Sequence, residues 1–308
     1  MQEQLLALQA LRSSKVIVYT TVDRPNLNLQ IEEDIIEPIH QILESIGHQP
    51  VIDLFIYSRG GATIVPLPLV RLIRKYCEKF GALVPFRAHS AATMICIGAD
   101  EIYMTKKAEL GPVDPLLNVN SPQGQRQYAS TDIFAYLEFA KTEVGWQAQG
   151  STTVELLEFF HKYSGLPPDH VGKIYRMFTQ SKKYIEELAN SHPKGHRLRG
   201  VEKMAEVLVR GFGSHDYKID SHEARSKLGL KVLPYHRETE AAIQALYSQV
   251  ASFLKLTTPF APAPNPNPAT EIVGLIMSEN KKLVKNLHYT ASAAATGIQL
   301  DARFSEWV

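Results

Sequence analysis

The feature that most constrains this chain is a β-branched run that ends in a glycine pair and leads into a helix. Val51 to Tyr57 reads as a strand, Ser58-Arg59-Gly60-Gly61 as a tight loop, and Leu67 to Tyr76 as an amphipathic helix with Pro66 and Pro68 at its start. A glycine pair at such a junction can adopt positive φ and bring backbone N–H groups close to a ligand oxygen. A tight turn alone also explains the pair. Its spacing is not the dinucleotide fingerprint, and no Gly-Lys-Ser/Thr follows, so phosphate cradling has no support.

The same alternation recurs around this unit. Lys15 to Tyr19, Ala82 to Phe86 and Ile102 to Met104 read as strands, and Ile31 to Ile46 as a helix interrupted by Pro38. The expected fold class is α/β, a mostly parallel sheet with covering helices. The next third changes period: residues 132–149, 153–163 and 168–190 are helical in pattern, 191–200 is a loop, and Glu202 to Arg210 is helical again. Ser221 is expected to cap a short helix, Leu230 to Leu233 to form a small strand, and Glu238 to Leu256 a longer helix. The expected organisation is a domain over 1–256 with a helical insertion at 132–210, a proline-rich linker at 257–269, and a helical tail at 270–308. Five prolines in the linker speak against a regular element, and the stretch from Glu271 to Leu287 is amphipathic.

Composition narrows the function classes. An apolar fraction of 44% in 308 residues supplies a substantial core and excludes global disorder. Lys plus Arg is 33 against 32 for Asp plus Glu, too balanced for a protein that coats nucleic acid. A small basic patch at Lys194, His196, Arg197, Arg199 and Lys203 reads as a solvated face. Cys77 and Cys96 sit among apolar residues and read as buried thiols, so no disulfide framework is expected. No run approaches a membrane span, and the N-terminus lacks the pattern of a signal peptide. A cytoplasmic protein is expected. His192, His196, His215 and His222 form no zinc motif, so neither metal nor cofactor is expected.

Residues 84–104, VPFRAHSAATMICIGADEIYM, carry the second chemical signal. A strand ends, Arg87-Ala88-His89 cross a short loop, and Ser90 opens a run of small and apolar residues. A serine at a helix start is ordinarily a cap, but at a strand-to-helix edge it can also present its hydroxyl as a nucleophile.

The segments FIYSRGGA, LVPFRAHSAATMICIGADEIYM and KAELGPVDP resemble the ClpP-class serine peptidases, and most of all the serine dehydrogenase proteinase family. That family is related to the signal peptide peptidase family within the ClpP/crotonase fold. The resemblance covers about residues 15–235. It implies a ClpP/crotonase-like layered β/α core with helical additions. It also implies Ser90 as nucleophile and an oxyanion hole at Gly60 and Gly61, with backbone N–H groups from Gly61 or Ala62 and from Ala91. Ala92 stands where the family usually has glycine, and Asp114 falls near the position of ClpP's histidine. The segment GFGSHDYKIDSHEARSKLGLKV, residues 211–232, resembles the ClpP segment that carries the catalytic aspartate, with His215-Asp216-Tyr217 meeting the family pattern.

The expected constellation is Ser90, His215 and an acid from Asp114 or Asp216, with His89 as the rival base. Arg59 and Arg87 would bind a peptide carboxylate or pair with Asp114. Peptide or unfolded protein would be the substrate, in a homo-oligomer. A catalytically inactive ClpP-like scaffold is the alternative, and a crotonase-type acyl-CoA enzyme the third.

Overall fold

The structure is a computed structural model that describes residues 1–121, 124–143, 145, 154–155, 158, 162, 168–192, 198–294 and 297–308. The main-sheet strands are β1 (Lys15–Thr21), β2 (Gln49–Tyr57), β3 (Cys77–Val84), β4 (Glu101–Met104), β5 (Asn265–Met277), β6 (Lys282–Ala294) and β7 (Gly297–Phe304). The helices used below are α1 (Gln2–Arg12), α2 (Ile36–Ile46), α3 (Pro66–Ile73), α4 (Ala91–Ile97), α5 (Ser130–Thr142), α6 (Pro168–Asn190), α7 (Val201–Glu206), α8 (Ser221–Ser226) and α9 (Arg237–Phe253).

The sheet runs in the order β7-β6-β5-β1-β2-β3-β4. Its first-half strands are parallel and in step: Leu54 sits beside Ile17 and Ala82, and Ala82 beside Ile102. Period-2 alternation sends Ile17, Tyr19, Leu54, Ile56, Ala82 and Val84 into one core, which also buries apolar residues of α2, α3, α4, α6 and α7. Val16, Val18, Phe55, Tyr57 and Leu83 face a second core with residues of α1 and α9. Burial on both faces explains why these strands read as near-continuous apolar runs. This is the layered α/β architecture that the sequence implied.

The C-terminal stretch departs from the expected helical tail. Residues 265–304 form β5, β6 and β7, and β5 adds antiparallel to β1 with Val18 beside Met277 and Thr20 beside Leu275. Val273 and Leu275 go to the second core while Ile276 goes to the first, the burial of a strand that separates two layers. The expected linker is also partly strand. Pro266 and Pro268 lie in β5 where its register with β6 shifts between Asn265 and Ala269, an irregularity that tolerates missing N–H groups. Phe260, in the same segment, is buried and donates its N–H to Pro25 O at 3.0 Å.

Smaller differences have local causes. The cap of α8 is Asp220, which accepts from Glu223 N at 2.8 Å, and Ser221 is the first helical residue. Beyond α7 the expected helix widens into a π turn over Val207–Gly211. Residues 230–233 contribute one bridge, Val232 to Ile102, instead of a strand. Most of the helix expected at 153–163 and residues 194, 196 and 197 of the basic patch lie outside the described residues.

Candidate active site

Ser90 follows the two-residue strand Arg87–Ala88 and precedes α4, with φ 51° and ψ −117°. A β-carbon residue in that region stores roughly 1–3 kcal/mol of strain and persists only when its surroundings over-determine it. They do so here. All seven residues of α4 are buried. Thr93 Oγ1 donates to Ala88 O at 2.7 Å or Gly111 O at 2.8 Å and accepts from Gly111 N at 3.0 Å. Ala92 N donates to His89 O at 2.9 Å. The methyl of Ala92, where the resembling family usually has glycine, is absorbed by the same core.

The glycine loop closes on this turn. A β-carbon on Gly60 would fall 2.7 Å from both His89 O and Ser90 Cβ, and 3.0 Å from Ala91 N, at φ +103°. One on Gly61 would fall 2.3 Å from Ile31 O. Ile31 braces the loop from behind: its N–H donates to Gly60 O and its carbonyl accepts from Ala62 N, both at 2.8 Å. The hydroxyl of Ser58, itself an acceptor from Thr21 Oγ1 at 2.9 Å, takes the N–H of Gly60 at 3.1 Å. This corrects part of the sequence reading. Ala62 lines the cleft, but its N–H is spent on Ile31. Among the described residues the N–H groups of Gly61 and Ala91 have no partner.

Ser90, Arg59, Gly60, Gly61, Ala62, Asp114 and His215 all line one cleft of about 420 Å³, with Met177 and Gln180 of α6 on its far wall. His215 rides on a loop anchored by paired bonds of 2.9 Å between Ile219 and Leu110, and by stacking of Tyr217 on Phe212 at 4.7 Å. His215 Nδ1 is buried and has no partner among the described residues. The neighbouring residue in the chain does not join it: Asp216 is exposed and is not among the residues lining the cleft. Asp114 is buried and accepts from Ser130 Oγ at 2.6 Å and from the hydroxyl and N–H of Thr131, so it ties down the start of α5.

His89 occupies a different environment. Its ring packs on Gly111, and its Nε2 stands 3.2 Å from Glu109 Oε1 without the alignment of a hydrogen bond. Burial, opposed by Glu109 and reinforced by Arg59 and Arg87, pushes the His89 imidazole down to about 4, so it is neutral at pH 7. Arg59 and Arg87 do not pair with Asp114. Both grip Asp23, with Arg59 Nε to Oδ1 and Arg87 Nη1 to Oδ2 at 2.7 Å each. Burial alone would raise the Asp23 carboxyl, but the two guanidiniums hold it below the usual carboxylate range. Arg87 therefore stands behind the cleft, and only Arg59 reaches its rim.

Sequence reasoning missed Asp23, Ile31 and Ser58. Ile31 acts through its backbone, Asp23 acts through partners 34 to 64 residues away, and Ser58 links Gly60, two residues on, to Thr21, 37 residues away. No local pattern marks the roles of Asp23 and Ile31. Asp100 and Glu101 are held in ion pairs away from the cleft: Arg74 holds the first, while Arg12, Lys79 and Lys231 hold the second. Among the described residues no group of three or more His, Cys, Asp or Glu could hold a metal ion, and no helix is long and apolar enough to cross a membrane.

Residues 26–127 match the family model described as ClpP-like SDH-type serine proteinase, and the chain is homologous to the ClpP-like serine peptidases at the level of the superfamily. Two uncharacterized proteins of Methanocaldococcus jannaschii are similar. One is 28% identical over 217 residues, covering 70% of this chain and 65% of the relative. The other is 35% identical over 200 residues, covering 64% of this chain and 58% of the relative. The match thus spans less than two thirds of each relative's length. Among solved structures, a mutant of 1510-N, a membrane-bound stomatin-specific protease, aligns with TM-score 0.41 at 14% identity, covering 81% of this chain and all of that one. A mutant of ClpP1 from Listeria monocytogenes aligns with TM-score 0.39 at 14% identity, covering 75% and 98%.

Proposed function

We propose that this chain is a serine endopeptidase working through an acyl-enzyme. Ser90 Oγ attacks the carbonyl carbon of a peptide bond while His215 accepts its proton. The carbonyl oxygen takes up the negative charge and receives hydrogen bonds from the N–H groups of Gly61 and Ala91. His215 returns the proton to the leaving amine, and a water then repeats the sequence on the ester, freeing Ser90. The observation that carries this reading is the convergence of Ser90, His215 and the glycine pair on one cleft. Asp114 contributes negative potential there, a better position for an orienting acid than that of exposed Asp216. The substrate is extended peptide or unfolded protein, the working form a homo-oligomer, and the compartment the cytoplasm.

The second reading, a non-catalytic scaffold, draws on one observation: Asp114 is committed to Ser130 and Thr131, which leaves His215 without an acid partner among the described residues. One experiment separates the two. A fluorophosphonate probe followed by mass spectrometry should label Ser90, and Ser90→Ala should lose both labelling and peptide hydrolysis while keeping its circular dichroism. A folded native chain that takes up no probe and cleaves no unstructured peptide would establish the scaffold instead.

A further inference from the structure

The outer edge of the sheet carries an unused surface. β7 is the terminal strand, with no strand on its far side among the described residues. A long exposed edge is a template for pairing with another chain. Every described side chain from Ile298 to Phe304 is exposed, including Ile298 at 47%, Leu300 at 40% and Phe304 at 49%. Ile298, Leu300, Ala302 and Phe304 alternate onto one face, opposite Ala293, Ala291, Tyr289 and Leu287 of β6. Leu287 belongs to the second core, and Tyr289 packs edge-on against Phe260 at 5.3 Å. The apolar stripe of that core therefore runs past its covering helices and off the edge of the sheet. Asp301 and Arg303, on the opposite face, have no ion-pair partner among the described residues.

We infer that β7 pairs antiparallel with β7 of a second copy of this chain, with Ala302 on the two-fold axis. A strand that pairs with its own copy about such an axis must set one residue opposite its counterpart. The reason is that the backbone groups of successive residues point to opposite edges. The candidate registers are therefore few, and side-chain chemistry selects among them. Centring on Asp301 would oppose two carboxylates, and centring on Arg303 two guanidiniums. Centring on Leu300 sets Asp301 opposite Gln299 and Arg303 opposite Gly297. Centring on Ala302 sets Asp301 opposite Arg303 and Leu300 opposite Phe304, each pair occurring twice. Charges of opposite sign and apolar side chains then meet across one axis, and the two sheets join into one.

This inference does not depend on the peptidase reading, so failure of serine labelling leaves it standing. The test uses the full chain and Ala302→Cys, whose two copies would lie about 4.5–5.5 Å apart between α-carbons, within disulfide range. Cys77 and Cys96 are buried and do not compete. Mild oxidation should convert Ala302→Cys to a covalent dimer. By sedimentation velocity on the cysteine-free edge, Asp301→Arg should weaken dimerisation at least tenfold. Combining it with Arg303→Asp should restore affinity to within about threefold, because the pair is exchanged and not lost. A native chain that sediments as a monomer up to about 200 µM would overturn the proposal, as would an oligomer indifferent to Asp301→Arg. Faster cross-linking through Leu300→Cys than through Ala302→Cys would overturn this register.

Discussion

The two halves of the candidate site are built by different means. The half around Ser90 is backbone held by backbone: Ile31 fastens both sides of the glycine pair, Ser58 fixes the peptide of Gly60, and a fully buried helix follows the serine. The half around His215 is a side chain on a surface loop, with one ring nitrogen buried and without a partner among the described residues. The comparison teaches that this fold fixes the backbone around Ser90 from several sides and leaves the His215 ring to be completed by whatever binds in the cleft.

The largest expected effect breaks the first half. Gly60→Ala drives a β-carbon into His89 O and Ser90 Cβ, so peptide hydrolysis should fall at least 100-fold and stability by about 2–3 kcal/mol in urea titration. Gly61→Val is no gentler. Its β-carbon meets the Ile31 backbone, so the variant should lose folded protein as well as turnover. Ser90→Gly is the informative opposite. It should abolish turnover yet raise stability by about 1 kcal/mol, because glycine relieves the strained φ and ψ. An unchanged or lowered melting temperature would mean that the serine is not strained.

The next effect separates the two histidines. His215→Ala should lower kcat/KM by roughly 10²–10⁴-fold, and His89→Ala far less. If His89 were the base, the acid limb of the pH–rate profile would fall at about 4. We expect the midpoint to be unmoved in a folded His89 variant. His89 should show itself in stability instead. Its folded-state value lies below the ordinary 6.5, so the unfolded chain binds the proton more readily between those limits. Stability is thus full above about pH 6.5 and declines as pH falls toward 4, by at most about 3 kcal/mol from this group. His89→Asn should flatten that part of the curve.

The smallest effects sort the carboxylates. Asp114→Asn should cost about 1–2 kcal/mol, since Asp114 accepts from Ser130 and Thr131 at the start of α5. Asp216→Asn should stay within about 0.5 kcal/mol and leave turnover within about twofold, as expected for an exposed side chain away from the cleft. A large loss of rate from Asp216→Asn at full folding would reverse the order of the two acids.

What was legible in the sequence followed the same divide. The strand, glycine pair and helix at 51–76 could be read because each element is specified by its own neighbours. The serine segment could be read because small residues must follow a serine packed this tightly against a buried helix. The partners of Arg59 and Arg87 could not be read: Asp23 is drawn to them by the parallel stacking of β1 and β2, not by any local pattern. The tail misled because Ile272, Leu275 and Ile276 repeat at helical spacing as well as suiting a strand. Gly274 settles the matter only in three dimensions, where the ring of Trp307 occupies the space its side chain would need.

The complete burial of α4 has a bearing on how a substrate could be admitted. Amides whose protection depends on a fully enclosed helix exchange with solvent only through openings close to global unfolding, whereas loops and half-exposed helices open at much lower cost. The amides of Met94 to Ile97 should therefore be among the slowest to take up deuterium, and those of residues 213–216 among the fastest. Any widening of the cleft to accept a chain must then come from the wall that carries His215, Met177 and Gln180. Ser90 would stay still while the loop that carries His215 moves relative to it.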